Sequence, residues 1–245
     1  MTGGITRAHR LAVVMTASCL VLVGCSALVS PPPELDTDFV PEVTVSALSD
    51  PDIGADGFTI QEHHAVRIRV YTCDGWSMGS GWVLSDHEVV TNQHVVDDAY
   101  KLEVSTYDGR DYPVLTAQVA PVADLALLTL EPVFDDWASW TVAQPDAGDP
   151  IYLIGYPEGN ALTTSDGNYT GLSADTVGST TELVMEFTAL VKHGNSGSAL
   201  YNADGVVIGT VYAGDEVSYG LAWSNEYLSR LLDGTDSWQP NTASC

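Results

Sequence analysis

From residue 62 onward the chain alternates between apolar and polar positions. In HHAVRIRVY, Val66, Ile68 and Val70 are separated by Arg67, Arg69 and Tyr71, the period of two expected of a strand with one buried face. Runs of similar length recur as GWVLS, EVVTN, KLEVSTY, YPVLTAQV, LALLTL, IYLIGY, LVMEFTAL, GVVIGTVY and YGLAW. Turn-forming pairs separate them, including Asp108-Gly109, Asp166-Gly167 and Asp204-Gly205. Many short strands joined by hairpins predict an all-β sandwich or barrel. One helix is predicted near the end: Ser224 can cap it, Leu228, Leu231 and Leu232 fall at helical spacing, and Gly234 can close it. No repeat of solenoid length is visible.

The N-terminal part has a different texture. Residues 1–24 read as an export signal, with Arg7 and Arg10 ahead of LAVVMTASCLVLVG, an apolar run too short for a comfortable transmembrane helix. It ends in Leu22-Val23-Gly24-Cys25, which resembles the lipobox of bacterial lipoprotein precursors. The resemblance implies a diacylglyceryl group on Cys25, at the mature N-terminus, and attachment to the cell membrane. An ordinary secretory signal with a chance cysteine is the other reading. Residues 25–61, rich in Pro and acid, read as a tether between lipid and folded domain. Once Cys19 leaves with the signal and Cys25 is lipidated, Cys73 and Cys245 remain. In an exported protein they are expected to form a disulfide that ties the C-terminal tail to the first barrel, or else to stand as two free thiols.

Composition narrows the partners. Of 245 residues, 33 are acidic and 8 basic, for a net charge of -25. Phosphate binding needs clustered Lys and Arg, so nucleic acid is excluded as an expected partner. Hydrophobic residues at 45% supply a core, and 22 glycines suit a chain of many turns.

The stretch HGNSGSAL, residues 193–200, brings in chemistry. Gly-Asn-Ser-Gly suits a β-turn, and Ser196 becomes a nucleophile only if a histidine takes its proton and a carboxylate holds that histidine. His9 lies in the signal, His63 and His64 precede the first strand, and His87 sits in a turn. His193 is too near Ser196 along the chain to reach its hydroxyl and is expected at the rim. That leaves His94. For the acid, Asp124 heads the apolar run LALLTL, where burial demands a hydrogen-bond partner; Asp97 and Asp98 lie too near His94. A metal site built from His63, His64 and His87 lacks the usual ligand spacing, and no metal or cofactor is expected.

The segment GSGWVLSDHEVVTNQHVV, residues 79–96, resembles the first catalytic segment of trypsin-like serine proteases, especially the HtrA/Deg group, where a GSG turn and two strands precede T-N-x-H-V-V. Asp124-Leu125-Ala126-Leu127-Leu128 is similar to the D-[IL]-A-[VL]-L element that carries the acid, and GNSGSA to the serine segment, with Ala199 for Pro and Ser198 as in glutamyl endopeptidases. The order His94, Asp124, Ser196 is the chymotrypsin order. The resemblance extends over most of residues 62–233, including GLAWSNEYLSRLL, similar to the family's last strand and helix. It implies two six-stranded antiparallel β-barrels, about 62–138 and 139–233, with a short C-terminal helix and a tail over 234–245. It further implies peptide-bond hydrolysis of protein or peptide substrates at the extracytoplasmic face of a bacterial membrane, with an oxyanion hole from the backbone N–H groups of Gly194 and Ser196.

By the same resemblance Leu190 lies at the base of the primary pocket and Val211, Tyr212, Ala213 and Gly214 on one wall. No Asp stands there for a basic side chain, and Val211 replaces the histidine of glutamyl endopeptidases, so a small or medium apolar residue is expected before the scissile bond. Asn195 stands where digestive enzymes place Asp, so activity is not expected to wait for a freed amino terminus. The PDZ domain usual in the HtrA group is not expected within these 245 residues. The contrasting reading is a lipid-anchored, protease-like binding or scaffold module with an idle triad.

Overall fold

The computed structural model describes residues 53–178 and 182–242. The export signal, Cys25, most of the tether and Cys245 lie outside the described residues. The described residues fall in one compact unit of two β-modules and short helices. The N-terminal module is an eight-stranded sheet in the order β14 (Gln239–Pro240), β6 (Thr116–Ala120), β7 (Leu125–Thr129), β3 (Glu88–Asn92), β2 (Gly75–Val83), β1 (Ala65–Thr72), β4 (Lys101–Ser105), β5 (Asp111–Pro113), curled but open between its edges. The C-terminal module closes as a six-stranded barrel in the order β10 (Leu183–Thr188), β13 (Gly220–Ser224), β12 (Val207–Gly214), β11 (Ala199–Asn202), β8 (Pro150–Gly155), β9 (Thr163–Ala174). Every strand pair in both modules is antiparallel, as hairpin connections require.

Burial follows the alternation. Strand β1 (Ala65–Thr72) turns Val66, Ile68 and Val70 inward, where they join Val83, Val89, Val104 and Leu128 in the first core. A second core fills the closed barrel around Leu153, Met185, Phe187 and Val211. Strands β12 (Val207–Gly214) and β13 (Gly220–Ser224) are buried on both faces, because the module contact covers the side that would otherwise face water. That contact is a third cluster, containing Trp82, Tyr201, Trp223 and Tyr227. Each such aromatic removes about 150–250 Å² from water, at about 25 cal/mol per Å². At that magnitude the module contact is core. Trp82 Nε1 also crosses it to donate to Thr210 Oγ1 at 3.1 Å.

Several elements differ from the sequence expectation. Gly79-Ser80-Gly81 is part of strand β2 (Gly75–Val83), with no turn there. A Cβ on Gly79 would meet Val95 Cγ1 at 2.6 Å, and one on Gly81 would meet Val89 Cγ1 at 2.8 Å, so the glycines serve close packing. Helix α1 (Ile60–His63) precedes β1 and is held by a reciprocal cap between Thr59 and Glu62. The helix after β13, α3 (Asn225–Leu232), starts at Ser224, but that hydroxyl makes no cap hydrogen bond. Asn225 Nδ2 anchors the start instead, donating to the carbonyls of Val207 and Thr141. Tyr227, Leu228 and Leu231 form the buried face, and Leu232 is 42% exposed. The segment read as a tail contributes β14 (Gln239–Pro240), paired with β6 (Thr116–Ala120).

His64, at the end of α1, is packed between the start of β1 and Asp136, whose Oδ2 lies 3.4 Å from Nε2. Burial pushes its imidazole below the ordinary 6.5, against the pull of Asp136. Below pH 6.5 the unfolded chain therefore takes up a proton that the folded chain declines, and stability falls with pH. The melting temperature is expected to drop between pH 6.5 and 5, with a smaller drop in His64→Gln. Equal slopes in the two proteins would show that His64 is not responsible.

Candidate active site

Strand β3 (Glu88–Asn92) runs into the single turn α2 (Gln93–Val96), which lifts His94 clear of the sheet. Strand β7 (Leu125–Thr129) pairs with β3, Asn92 opposite Leu125, so Asp124 arrives beside His94. Asp124 has a left-handed backbone, φ 44°, unusual outside glycine, and its carbonyl is fixed by Asn92 Nδ2 at 3.1 Å and Gln93 N at 3.0 Å. Its carboxylate grips the histidine twice. Oδ1 accepts from the His94 main-chain N–H at 2.9 Å, and Oδ2 lies 2.7 Å from Nδ1. A carboxylate offers only acceptors, so Nδ1 carries a proton, and in the neutral ring that leaves the lone pair on Nε2.

Ser196 sits on the loop between β10 (Leu183–Thr188) and β11 (Ala199–Asn202), in the other module. Gly194 (φ +88°) and Gly197 (φ +90°) give the loop its sharp course. A Cβ on Gly194 would meet Tyr156 O at 2.5 Å, and one on Gly197 would meet Ser80 O at 2.0 Å. Four successive carbonyls are engaged: His193 O by Glu158 N at 2.5 Å, Gly194 O by Ser80 Oγ at 2.6 Å, Asn195 O by Ser198 N at 3.0 Å, and Ser196 O by Ser80 N at 2.8 Å. In a trans peptide the N–H points away from the C=O. The N–H groups of Gly194 and Ser196 donate to no protein group among the described residues. Ser196 Oγ itself donates to Tyr212 O at 3.5 Å, a long bond, and not to His94.

Behind this loop Asn195 and Ser198 are buried, and Asn195 Oδ1 and Ser198 Oγ have no partner there. Both converge with Ser80 Oγ on Gly155, where a Cβ would fall within 3.1 Å of all three. A groove of about 440 Å³ runs along the other side of the histidine, bordered by Asp97, Asp175, Val177, Tyr212 and Trp223. Tyr212 OH donates to Asp175 Oδ1 at 2.7 Å. Burial opposes ionisation of Asp175, but hydrogen bonds from Gly178, Tyr212 and Val177 outweigh it and hold the carboxyl below its usual range. Burial pushes Asp97 up.

The residues expected to line the primary pocket are dispersed. Leu190 is 41% exposed and lines a recess of about 290 Å³ with Pro157, Glu158, Lys192 and Asn195. Val211 is fully buried in the barrel core, while Tyr212 faces the histidine groove. Ala213 and Gly214 continue β12 toward the surface, and a Cβ on Gly214 would strike Val191. His193 projects into solvent against Glu216, as a rim residue should. His63, His64 and His87 each face a different aspartate, Asp56, Asp136 and Asp86. Sequence reading passed over Ser80, Glu158 and Asp175; Ser80 alone left a signal, as the one polar residue of the GSG element.

A closed barrel and a curled sheet with a His–Asp pair on one and a glycine-braced serine loop on the other define the chymotrypsin-like class. Residues 79–209 match the family model of the trypsin-like peptidase domain, and the chain belongs to that family. Over 163 residues it is 30% identical to a probable periplasmic serine endoprotease, DegP-like, of Chlamydia pneumoniae, covering 63% of this chain and 33% of that protein. Over 170 residues it is 30% identical to the periplasmic serine endoprotease DegP of Escherichia coli K12, covering 63% and 35%. The chain thus spans about a third of these relatives' length. Among solved structures, the active form of the Rv3671c protease from M. tuberculosis superposes with a TM-score of 0.66 at 24% identity, covering 75% of this chain and 85% of that one. The HtrA-type protease AlgW with tripeptide gives 0.65 at 24% identity, covering 71% and 60%.

Gly197→Ala combines a left-handed backbone with a collision against Ser80 O and Thr91 Oγ1. Backbone strain alone costs about 1–3 kcal/mol. The variant is expected to lose at least that much in a denaturant titration; a wild-type midpoint would show that the loop relaxes freely.

Proposed function

We propose that the protein is a serine endopeptidase of the HtrA/DegP type in which His94, Asp124 and Ser196 form the catalytic triad. The observation that carries this reading is the double grip of Asp124 on His94, which fixes the tautomer a general base needs. Ser196 Oγ attacks the peptide carbonyl while His94 Nε2 removes its proton. Asp124 stabilises the imidazolium, which then returns the proton to the leaving amine. Water, activated by the same histidine, releases the acyl group and restores the serine. The negative oxygen of each tetrahedral intermediate is met by the N–H groups of Gly194 and Ser196, whose lack of other partners supports the assignment. The long Ser196–Tyr212 bond leaves the nucleophile free to turn toward Nε2.

A fluorophosphonate probe is expected to label the full-length wild type and neither Ser196→Ala nor His94→Ala. In Asp124→Asn the labelling rate should fall by about 10⁴-fold, the scale seen when this carboxylate is neutralised in a related triad. A folded but unlabelled wild type would turn attention to the idle-triad, binding-module reading.

Protein or peptide substrates follow from the reaction. A small or medium apolar residue before the scissile bond is the specificity proposed, on the exposed apolar side chain of Leu190, which borders the same recess as Asn195 of the serine loop. Profiling with a peptide library tests this, and a preference for Arg, Lys or Glu at that position would refute it. The export signal of residues 1–24 and the periplasmic relatives support work at the extracytoplasmic face of a bacterial membrane, with Cys25 as the lipid anchor.

A Cys73–Cys245 disulfide is proposed to hold the C-terminus. What supports it is that Asn241 bonds to Ala117 and Val96, in the same module as Cys73. Intact-mass analysis of protein from membranes is expected to find an acyl mass that Cys25→Ser lacks, and a gain of two hydrogens on reduction. An unmodified mass would exclude the anchor, and no gain on reduction would exclude the bridge.

A further inference from the structure

The His–Asp pair and the serine loop belong to different modules, and one residue touches both the serine loop and the strand that leads to His94. Ser80 lies on β2 and is fully buried. Its Oγ donates to Gly194 O at 2.6 Å and accepts from Tyr156 N at 2.9 Å. Its main-chain N–H donates to Ser196 O at 2.8 Å. Its carbonyl accepts from Thr91 Oγ1 at 2.7 Å, three residues before His94. Of the four engaged carbonyls between His193 and Ser196, Ser80 holds two.

We infer that Ser80 is a positioning residue for the oxyanion hole. This rests on the serine endopeptidase reading. Gly194 has no side chain to resist rotation of the peptides on either side, and its φ of +88° is not confined by a Cβ. The Ser80 hydroxyl supplies that restraint from outside the loop. Without it the Gly194 carbonyl loses its donor and Tyr156 N loses its acceptor, both in a buried setting where water cannot readily replace them. The Gly194 carbonyl shares its peptide with the Asn195 N–H, while the Gly194 N–H lies in the preceding peptide, whose carbonyl Glu158 N holds. Both pivot on the unbranched Gly194 Cα, so a carbonyl that turns to recover a partner shifts the torsions that aim the Gly194 N–H, one of the two groups that meet the developing negative oxygen. Ser80 touches neither substrate nor nucleophile oxygen, so its removal weakens stabilisation of the transition state and leaves ground-state binding in place.

The test is saturation kinetics of fluorophosphonate labelling on full-length wild type, Ser80→Cys and Ser80→Ala, with melting temperatures alongside. Removing an oxyanion donor outright costs about 10²–10³-fold, so loss of its support is expected to lower the maximal labelling rate by about 10–100-fold in Ser80→Ala. Ser80→Cys, nearly the same size with a weak donor, should fall between. The half-saturating probe concentration and the pH midpoint, which reports His94, should stay at wild-type values in both. A wild-type maximal rate in Ser80→Ala overturns the inference, and so does a moved pH midpoint, which would mean that Ser80 acts through His94. If Ser80→Ala fails to fold, Ser80→Cys decides: a reduced maximal rate supports the inference, and a wild-type rate with only a lowered melting temperature overturns it. An unlabelled, folded wild type overturns the endopeptidase reading itself, and this inference with it.

Discussion

Where β2 passes beneath the loop that carries Ser196, the two β-modules are separated by little more than one layer of backbone hydrogen bonds. Ser80 N reaches Ser196 O at 2.8 Å, and the space beside Gly197 is so narrow that a methyl group would sit 2.0 Å from Ser80 O. That approach fixes the separation of the modules, and with it the relation of His94 to Ser196, since His94 follows β3 directly and the loop of Ser196 is held by backbone hydrogen bonds. The cost of such contact is a set of positions that tolerate no side chain: Gly79, Gly81, Gly155, Gly194 and Gly197 all fill their sites as bare backbone. The aromatic cluster around Trp82 and Trp223 supplies the cohesion that presses the modules together.

Around this contact the backbone is oriented in advance. Successive carbonyls are turned to donors on Glu158, Ser80 and Ser198, which leaves the amide hydrogens of Gly194 and Ser196 without a partner among the described residues. Dipoles oriented in advance need no reorganisation when charge develops, and that is where electrostatic stabilisation in a partly dry site gains most of its strength. The His–Asp pair follows the same rule. Asp124 is itself held by Asn92 and Gln93, so His94 is oriented by a group that is oriented in turn.

How much of this was readable in the chain depended on range. Alternation of Val66, Ile68 and Val70 against Arg67 and Arg69 reports a local burial pattern, and the strands lie where it put them. His94, Asp124 and Ser196 stood out because each lies in a short motif with its own chemistry. Ser80 did not, because its partners Gly194 and Ser196 come from the far module and no local period records such a bond. Ser224 offered a hydroxyl at a helix start, but the buried Asn225 had two carbonyls within reach and anchored the helix instead. Leu232 had the right spacing for the core, yet Tyr227, stacked edge-on to Trp223, took that place. The glycines of GSG suggested a turn, whereas tight packing inside a strand was the reason for them.

The short strand β14 joins residues 239–240 to the edge of a sheet otherwise made from residues 65–129. A chain emerging from its N-terminus can begin that sheet early, but cannot finish its edge until the barrel and α3 have also emerged. Contacts so distant along the chain are slow to form and leave an unpaired edge exposed meanwhile. The first module is therefore the first to start folding and among the last to be completed. In an exported chain, that ordering would leave the edge of β6 available to other chains until the final residues cross.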